Sequence, residues 1–479
     1  MRCRLIAVVI GAIAWIAPAY GDDWPRHRGA RGDGVWRETG IVENLPTQPA
    51  YRWRTPLGSG FAGPAVAEGR VFVTDRIVPA NQQLPEARWD RTDPVEGVER
   101  VHCLDLRSGK ILWTHEYPCR YTISYPSGPR ATPTVYQGKV YSLGAMGDLR
   151  CLDARTGQLV WSKNYVRDFG TQMNTWGMAA APWADGQRLF VLCGGKDHAG
   201  LVALDKDSGR ELWRALDCPD PGYSAPVLIE AQGVRQLLVW CPTGLYSVDP
   251  ATGKVYWSQP AEVKMGHSIA SPVYDAQSGL VFVTSFFDGP IMMKLDLDRP
   301  AARLLWKGRS NSELPRRTDG LHGLMSTPVI RDGHLYGVCS YGHLRGLDAF
   351  SGKRLWETLA PTGEARWSTA FITEHQGRYF LFNEHGDLIR AKFSPQGYEE
   401  LGRMHVIEPT TKTGGRLVVW SPPAFADRCL FVRNDREIVC VDLAAPSAST
   451  PGAASGRPVQ QNNLGPVAAD RSFPVTSNP

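Results

Sequence analysis

Aromatic and hydrogen-bonding residues recur in this chain just ahead of segments built from small residues. Arg130 stands in SGPRATP, Trp176 in WGMAAAP, Tyr223 in GYSAP and His267 in GHSIASP. His322 follows in LHGLMSTP, Trp367 in RWSTA and Trp420 in WSPP, and Phe61 takes the same place upstream. Flat rings, imidazoles and a guanidinium beside small residues are what a small-molecule pocket is made of. They are equally the residues that plug a channel, and each one admits both readings. His267 and His322 would need a third ligand to hold a metal, so no metal site is assigned. Glu384 and Asp319 are the carboxylates best placed for general acid–base work. Lys196-Asp197-His198 reads as an exposed turn. The chain contains neither Gly-x-Ser-x-Gly nor His-Glu-x-x-His, and no catalytic residue is assigned.

The elements that position these residues follow from a repeat. CLDLRSGKILW at 103–113 returns as CLDARTGQLVW at 151–161, ALDKDSGRELW at 203–213, SVDPATGKVYW at 247–257 and GLDAFSGKRLW at 346–356. A looser copy, KLDLDRPAARLLW, occupies 294–306. The Asp positions are 105, 153, 205, 249, 296 and 348, an irregular period that marks an array of supersecondary units. Asp and Ser or Thr close the turn, and Gly supplies its positive φ. A second hairpin precedes each copy, as in PTVYQGKVYSLG at 133–144. One unit is therefore four antiparallel strands, A to D, and a ring of such units is a β-propeller.

Six units carry the motif. A seventh, from Ser368 to about His405, has lost both its Asp and its Trp. An eighth begins PPAFADRCLFVRNDREIVCVDL at 422–443 and ends without a fourth strand. YRWRTPL at 51–57 is a Trp-bearing strand with no unit of its own, so it completes the eighth blade and closes the ring. The expectation is an all-β, eight-bladed propeller over 51–443. Trp53, Trp113, Trp161, Trp213, Trp257, Trp306 and Trp356 then end outer strands and pack against adjacent blades. In this frame the D-to-A and B-to-C loops share one face. The B-to-C loops add Asp288, His343, Glu384, His385 and Asp435 to it, and residues 77–100 form a long loop there suited to be a lid.

Residues 1–21 have the form of a signal peptide: basic MRCR, an apolar run, and Ala19-Tyr20-Gly21 before the cleavage point. The apolar run is short for a membrane span, so the expectation is a protein exported to the periplasm or beyond. Residues 22–50 read as a turn-rich arm, and 444–479, rich in small, polar and proline residues, as a disordered tail. The formal net charge of +5 includes Arg2 and Arg4, and no basic run points to nucleic acid. Nine cysteines remain after Cys3, and their pairing is open. A monomer is expected.

The Asp-x-x-(Ser/Thr)-Gly-x-x-x-Trp repeats resemble the pyrroloquinoline-quinone (PQQ)-like β-propeller family over roughly residues 51–443. That family contains PQQ-dependent alcohol dehydrogenases and non-enzymatic scaffolds of the BamB type. The resemblance implies either a binding or scaffold protein, with a small ligand or protein partner on the loop face, or a quinoprotein-type alcohol or sugar dehydrogenase using PQQ with Ca²⁺. The dehydrogenases hold their cofactor against adjacent disulfide-bonded cysteines, and this chain has no Cys-Cys pair. It also lacks a Cys-x-x-Cys-His haem motif and a lipidated cysteine after the signal region. The non-catalytic reading is therefore preferred.

Overall fold

Each blade is built from two kinds of turn that the residues dictate. In blade 2, Thr134–Tyr136, Lys139–Leu143, Asp148–Asp153 and Leu159–Asn164 pair in that order. The inner hairpin turns at Gln137 and Gly138, with φ of 47° and 73°, the left-handed pair of a type I′ turn. In the outer turn, Asp153 Oδ1 accepts from the Thr156 amide and hydroxyl, both at 2.8 Å. Just before that turn, the pairing between the third and fourth strands shifts register at Cys151/Leu152. The same shift recurs at Cys103/Leu104, Ala203/Leu204, Ser247/Val248 and Gly346/Leu347. A bulge increases local twist, which suits the strongly twisted sheet of a propeller blade.

The structure, a computed structural model, describes residues 22–79 and 93–446. The signal-peptide region, the middle of the 77–100 loop and the sequence beyond 446 lie outside the described residues. Eight four-stranded antiparallel sheets form the blades. Seven use consecutive strands. The eighth joins Ala424–Ala426, Cys429–Arg433 and Glu437–Asp442 to Tyr51–Pro56, so the ring closes through both ends of the repeat array. In this sheet Trp53 lies opposite Cys440 and Pro56 opposite Glu437. Innermost strands of blades 8 and 1 lie side by side, as do those of blades 1 and 2.

The motif tryptophans link neighbouring blades. Nε1 of Trp53 donates to the Leu106 carbonyl at 2.9 Å, Trp113 to Ala154 at 3.1 Å, and Trp161 to Lys206 at 3.0 Å. Trp306 and Trp356 do the same to Ala349 and Ser394. Each acceptor lies in the outer turn of the next blade. Two differ: Trp213 Nε1 has no hydrogen-bond partner among the described residues, and Trp257 Nε1 donates to Gln236 of its own blade at 3.0 Å. Trp53 and Trp257 are buried, whereas Trp113, Trp161, Trp213, Trp306 and Trp356 are half-buried. The nine described cysteines are free and buried.

The arm crosses the inner ends of several blades instead of continuing a sheet. Trp24 exchanges backbone hydrogen bonds with Val66 of blade 1, and Pro25 accepts from Val135 of blade 2. Arg26 Nη1 donates to Ala184 of blade 3 at 3.1 Å. The chain then pairs Gly34 and Trp36 with Glu374 of blade 7. Trp36 is 1% exposed and packs on Phe380 and Phe425. Ala444 and Ala445, the first residues assigned to the tail by sequence, bond back to the arm at Ile41 and Gly40. No helix among the described residues is long and apolar enough to cross a membrane.

Candidate functional site

Because the D-to-A segments precede the innermost strands, their side chains converge at one mouth of the ring. They line a cavity of about 220 Å³. Phe61, Arg130, Trp176 and Tyr223 contribute from the first four such segments, and His267, Trp367 and Trp420 from three of the later ones. The same segments also present Ala179, Ala181 and Ala225, small enough to leave the space open.

The rings are interlocked. Trp176 lies 6.1 Å from Tyr223 and 4.8 Å from His267, and His267 stacks on Phe287 at 5.4 Å. Burial lowers the His267 pKa to about 4, so the imidazole is neutral near pH 7. Its Nδ1 is sealed from solvent without a hydrogen-bond partner among the described residues. Trp367 takes φ of 69°, a left-handed conformation that a bulky side chain rarely adopts. Strain of this kind, on the order of 1 kcal/mol or more, persists where surrounding structure holds it, and it concentrates at binding sites.

Arg130 is held by the loop that carries it. Its Nη1 donates to Gly128 at 2.6 Å, and its Nη2 to Ser124 and Tyr125 at 2.8 and 2.6 Å. The guanidinium also lies 5.4 Å from the centre of the Phe61 ring. Burial pulls its pKa down, and among the described residues no acidic side chain lines the cavity.

Two candidate residues stand behind the lining. His322 is fully buried, with Nδ1 3.3 Å from the Phe286 carbonyl and Nε2 3.3 Å from Asp319. Phe286 also packs on His267 at 6.0 Å and so stands between the two histidines. Glu384, 1% exposed, accepts from Arg416 Nε at 2.9 Å and Trp420 Nε1 at 2.8 Å. A carboxylate so engaged orients Trp420 and has no open path to a substrate in the cavity. Asp319 is occupied by the Arg309 and Ser310 amides. Lys196, Asp197 and His198 stay exposed, with His198 facing Asp217 at 2.8 Å.

Sequence reasoning missed two contributors. His27 of the arm lines the cavity and the two smaller ones beside it. Its ring has no hydrogen-bond partner among the described residues, and burial lowers its pKa to about 3. The turn-rich arm carried no periodicity that would aim a side chain at the ring axis. The other is a hairpin, Thr411–Thr413 with Arg416–Val418, between blades 7 and 8. It carries Arg416, and its Thr413 hydroxyl lies 3.4 Å from Tyr125, another lining residue. The Gly414-Gly415 pair was the available signal.

The donor set does not fit a Ca²⁺-bound quinone. Ca²⁺ takes six to eight oxygen ligands, carboxylates prominent among them, and among the described residues this lining supplies no carboxylate. Among the described residues no group of three His, Cys, Asp or Glu side chains is placed to hold a metal ion.

Eight four-stranded blades around an aromatic-lined mouth define an eight-bladed β-propeller. A family model described as outer membrane protein assembly factor BamB matches residues 97–286 and 243–472, and the chain belongs to that PQQ-like propeller family. It is 24% identical over 244 residues to the outer membrane protein assembly factor BamB of Yersinia pestis, covering 41% of this chain and 60% of the relative. To BamB of Moranella endobia (strain PCIT) it is 26% identical over 179 residues, 36% of this chain and 42% of that one. The chain thus spans about half the length of these curated relatives. The crystal structure of BamB from Moraxella catarrhalis has a TM-score of 0.52 at 13% identity, covering 81% of this chain and 100% of that one, a likeness of fold.

Proposed function

We propose that this chain is an exported, non-catalytic propeller of the BamB type that engages a ligand or partner at its D-to-A and B-to-C loop face. One observation carries the reading. Among the described residues, the concave mouth is rich in aromatic side chains and presents no carboxylate, and Glu384 behind it is engaged by Arg416 and Trp420. Such a surface binds through ring faces and a few polar groups and has no machinery for bond making. The relatives' description as outer membrane protein assembly factors supports a role in handling other exported proteins.

The test is steady-state turnover by the purified protein on a panel of alcohols and sugars, with PQQ and Ca²⁺ supplied. No turnover is expected, and PQQ with Ca²⁺ leaves the melting temperature unchanged. A tight ligand at a hundredfold excess over its Kd raises stability by about 2.7 kcal/mol, so a missed cofactor would show as a clear shift. Turnover would establish the quinoprotein dehydrogenase reading in its place.

A further inference from the structure

The cavity has a charge pattern that selects among ligands. We infer that it takes a flat aromatic monocarboxylate of one ring or two fused rings, its carboxylate at Arg130 and a hydrogen-bonding edge at His27. This deepens the non-catalytic reading and rests on it.

Size sets the first limit. A cavity of about 150 Å³ lined by apolar side chains accepts benzene. This one, at about 220 Å³, has room for a fused bicycle or for one ring with a short side chain. Trp176, Tyr223, Trp367 and Trp420 offer faces and edges for a flat ligand.

Charge sets the second. An aromatic mouth alone would suit a cation. Here Arg130 already supplies a positive charge, and among the described residues the lining contains no acid to balance it. Glu99, whose charge acts on Arg130 from behind, is engaged with the Tyr117 and Tyr121 hydroxyls and the Ala145 amide. A guanidinium has five N–H donors, and three of those on Arg130 are taken by backbone carbonyls. The loop therefore fixes the group in position and leaves donors for a carboxylate.

The third limit comes from the arm. His27 borders the cavity with no protein partner for either ring nitrogen among the described residues. A neutral imidazole offers one donor and one acceptor. A ligand N–H can therefore pair with the acceptor nitrogen.

Isothermal titration calorimetry of the whole mature chain at pH 7 tests the inference with four probes: indole-3-acetate, its 1-methyl derivative, indole and tryptamine. Indole-3-acetate is expected to bind at least tenfold tighter than indole, and tryptamine to show no heat. The 1-methyl derivative, which lacks the N–H, should bind about fivefold more weakly than its parent, and His27→Phe should abolish that difference. Arg130→Met should remove the preference for the acid. That variant also loses loop hydrogen bonds, so the comparison of probes on the unsubstituted protein decides. Equal binding of acid and amine, tighter binding of indole or tryptamine, or no binding of any probe would overturn the inference. None of these outcomes touches the non-catalytic reading, which falls only if turnover is found.

Discussion

At Gly109 two demands meet. Its φ is 68°, and a Cβ there would stand 2.4 Å from the Trp53 ring of the preceding blade. Gly157 has the same relation to Trp113, and Gly209 to Trp161. The motif Gly is thus a turn residue and the floor on which the neighbouring Trp rests. Gly138 shares the positive φ, 73°, but a Cβ there meets nothing within 4 Å. Gly109→Ala should destabilise by about 2–4 kcal/mol, combining left-handed strain with overpacking. Gly138→Ala should cost only the strain, about 1 kcal/mol. Denaturant unfolding of the two variants separates the contributions, and equal losses would show that the Trp contact is dispensable. His267 makes a second prediction. Burial holds its folded pKa at about 4, below the unfolded value near 6.5. The unfolded chain therefore binds the proton first, and stability must fall as pH drops through the window from about 6.5 to about 4. The neutral imidazole's share is fully present above that window, and about 3 kcal/mol of it is lost at the acid end. His267→Gln should flatten the slope of unfolding free energy against pH there, and an unchanged slope would show that His267 is freely protonated in the fold.

At the scale of elements, legibility followed periodicity. The Asp-to-Trp motif repeats because every outer turn solves the same problem, so blades 1–6 could be read from CLDARTGQLVW and its copies. The seventh blade lost the motif but kept its hairpins, and alternation over 370–405 still marked it. The mouth was partly legible for the same reason: counting from the motif locates Arg130, Trp176, Tyr223, His267, Trp367 and Trp420 at equivalent positions. Counting cannot say which way a side chain turns. His322, in a D-to-A segment, and Glu384, in a B-to-C loop, belong to the same face by that count, yet each is drawn behind the lining by its partners, Phe286 and Asp319 for one and Arg416 and Trp420 for the other. The arm was opaque because it forms isolated bridges, Trp24 with Val66 and Val35 with Glu374, whose partners are far away in sequence. Such pairings leave no alternation to read, and His27 went unnoticed with them.

At the scale of the whole molecule, closure depends on a strand that is first in the propeller and last in its ring. Tyr51–Pro56 covers the outer edge of Glu437–Asp442, and Trp53 anchors it, 7% exposed, beside the outer turn of blade 1. Salt bridges decorate the seam: Arg54 with Glu437 at 2.6 Å and Arg52 with Asp427 at 2.7 Å. Their members are partly exposed, and pairs of that kind contribute about 0–1 kcal/mol each, so they do not hold the ring. Burying the Trp does, since truncating such a ring typically costs about 3–5 kcal/mol, a large share of an ordinary domain's stability. Removing residues 22–57 should therefore do more than lower the melting temperature. It strips the arm from five blades and leaves Glu437–Asp442 as a bare strand edge, a template for pairing with another copy. Hydrogen exchange should show amides of 437–442 protected near the global stability in the chain that keeps residues 22–57 and exchanging early in the truncated one. Light scattering should show the truncated form self-associating, while Arg54→Ala alone leaves both readouts nearly unchanged. A truncated chain that stays monomeric with 437–442 fully protected would mean that the ring closes without its first strand.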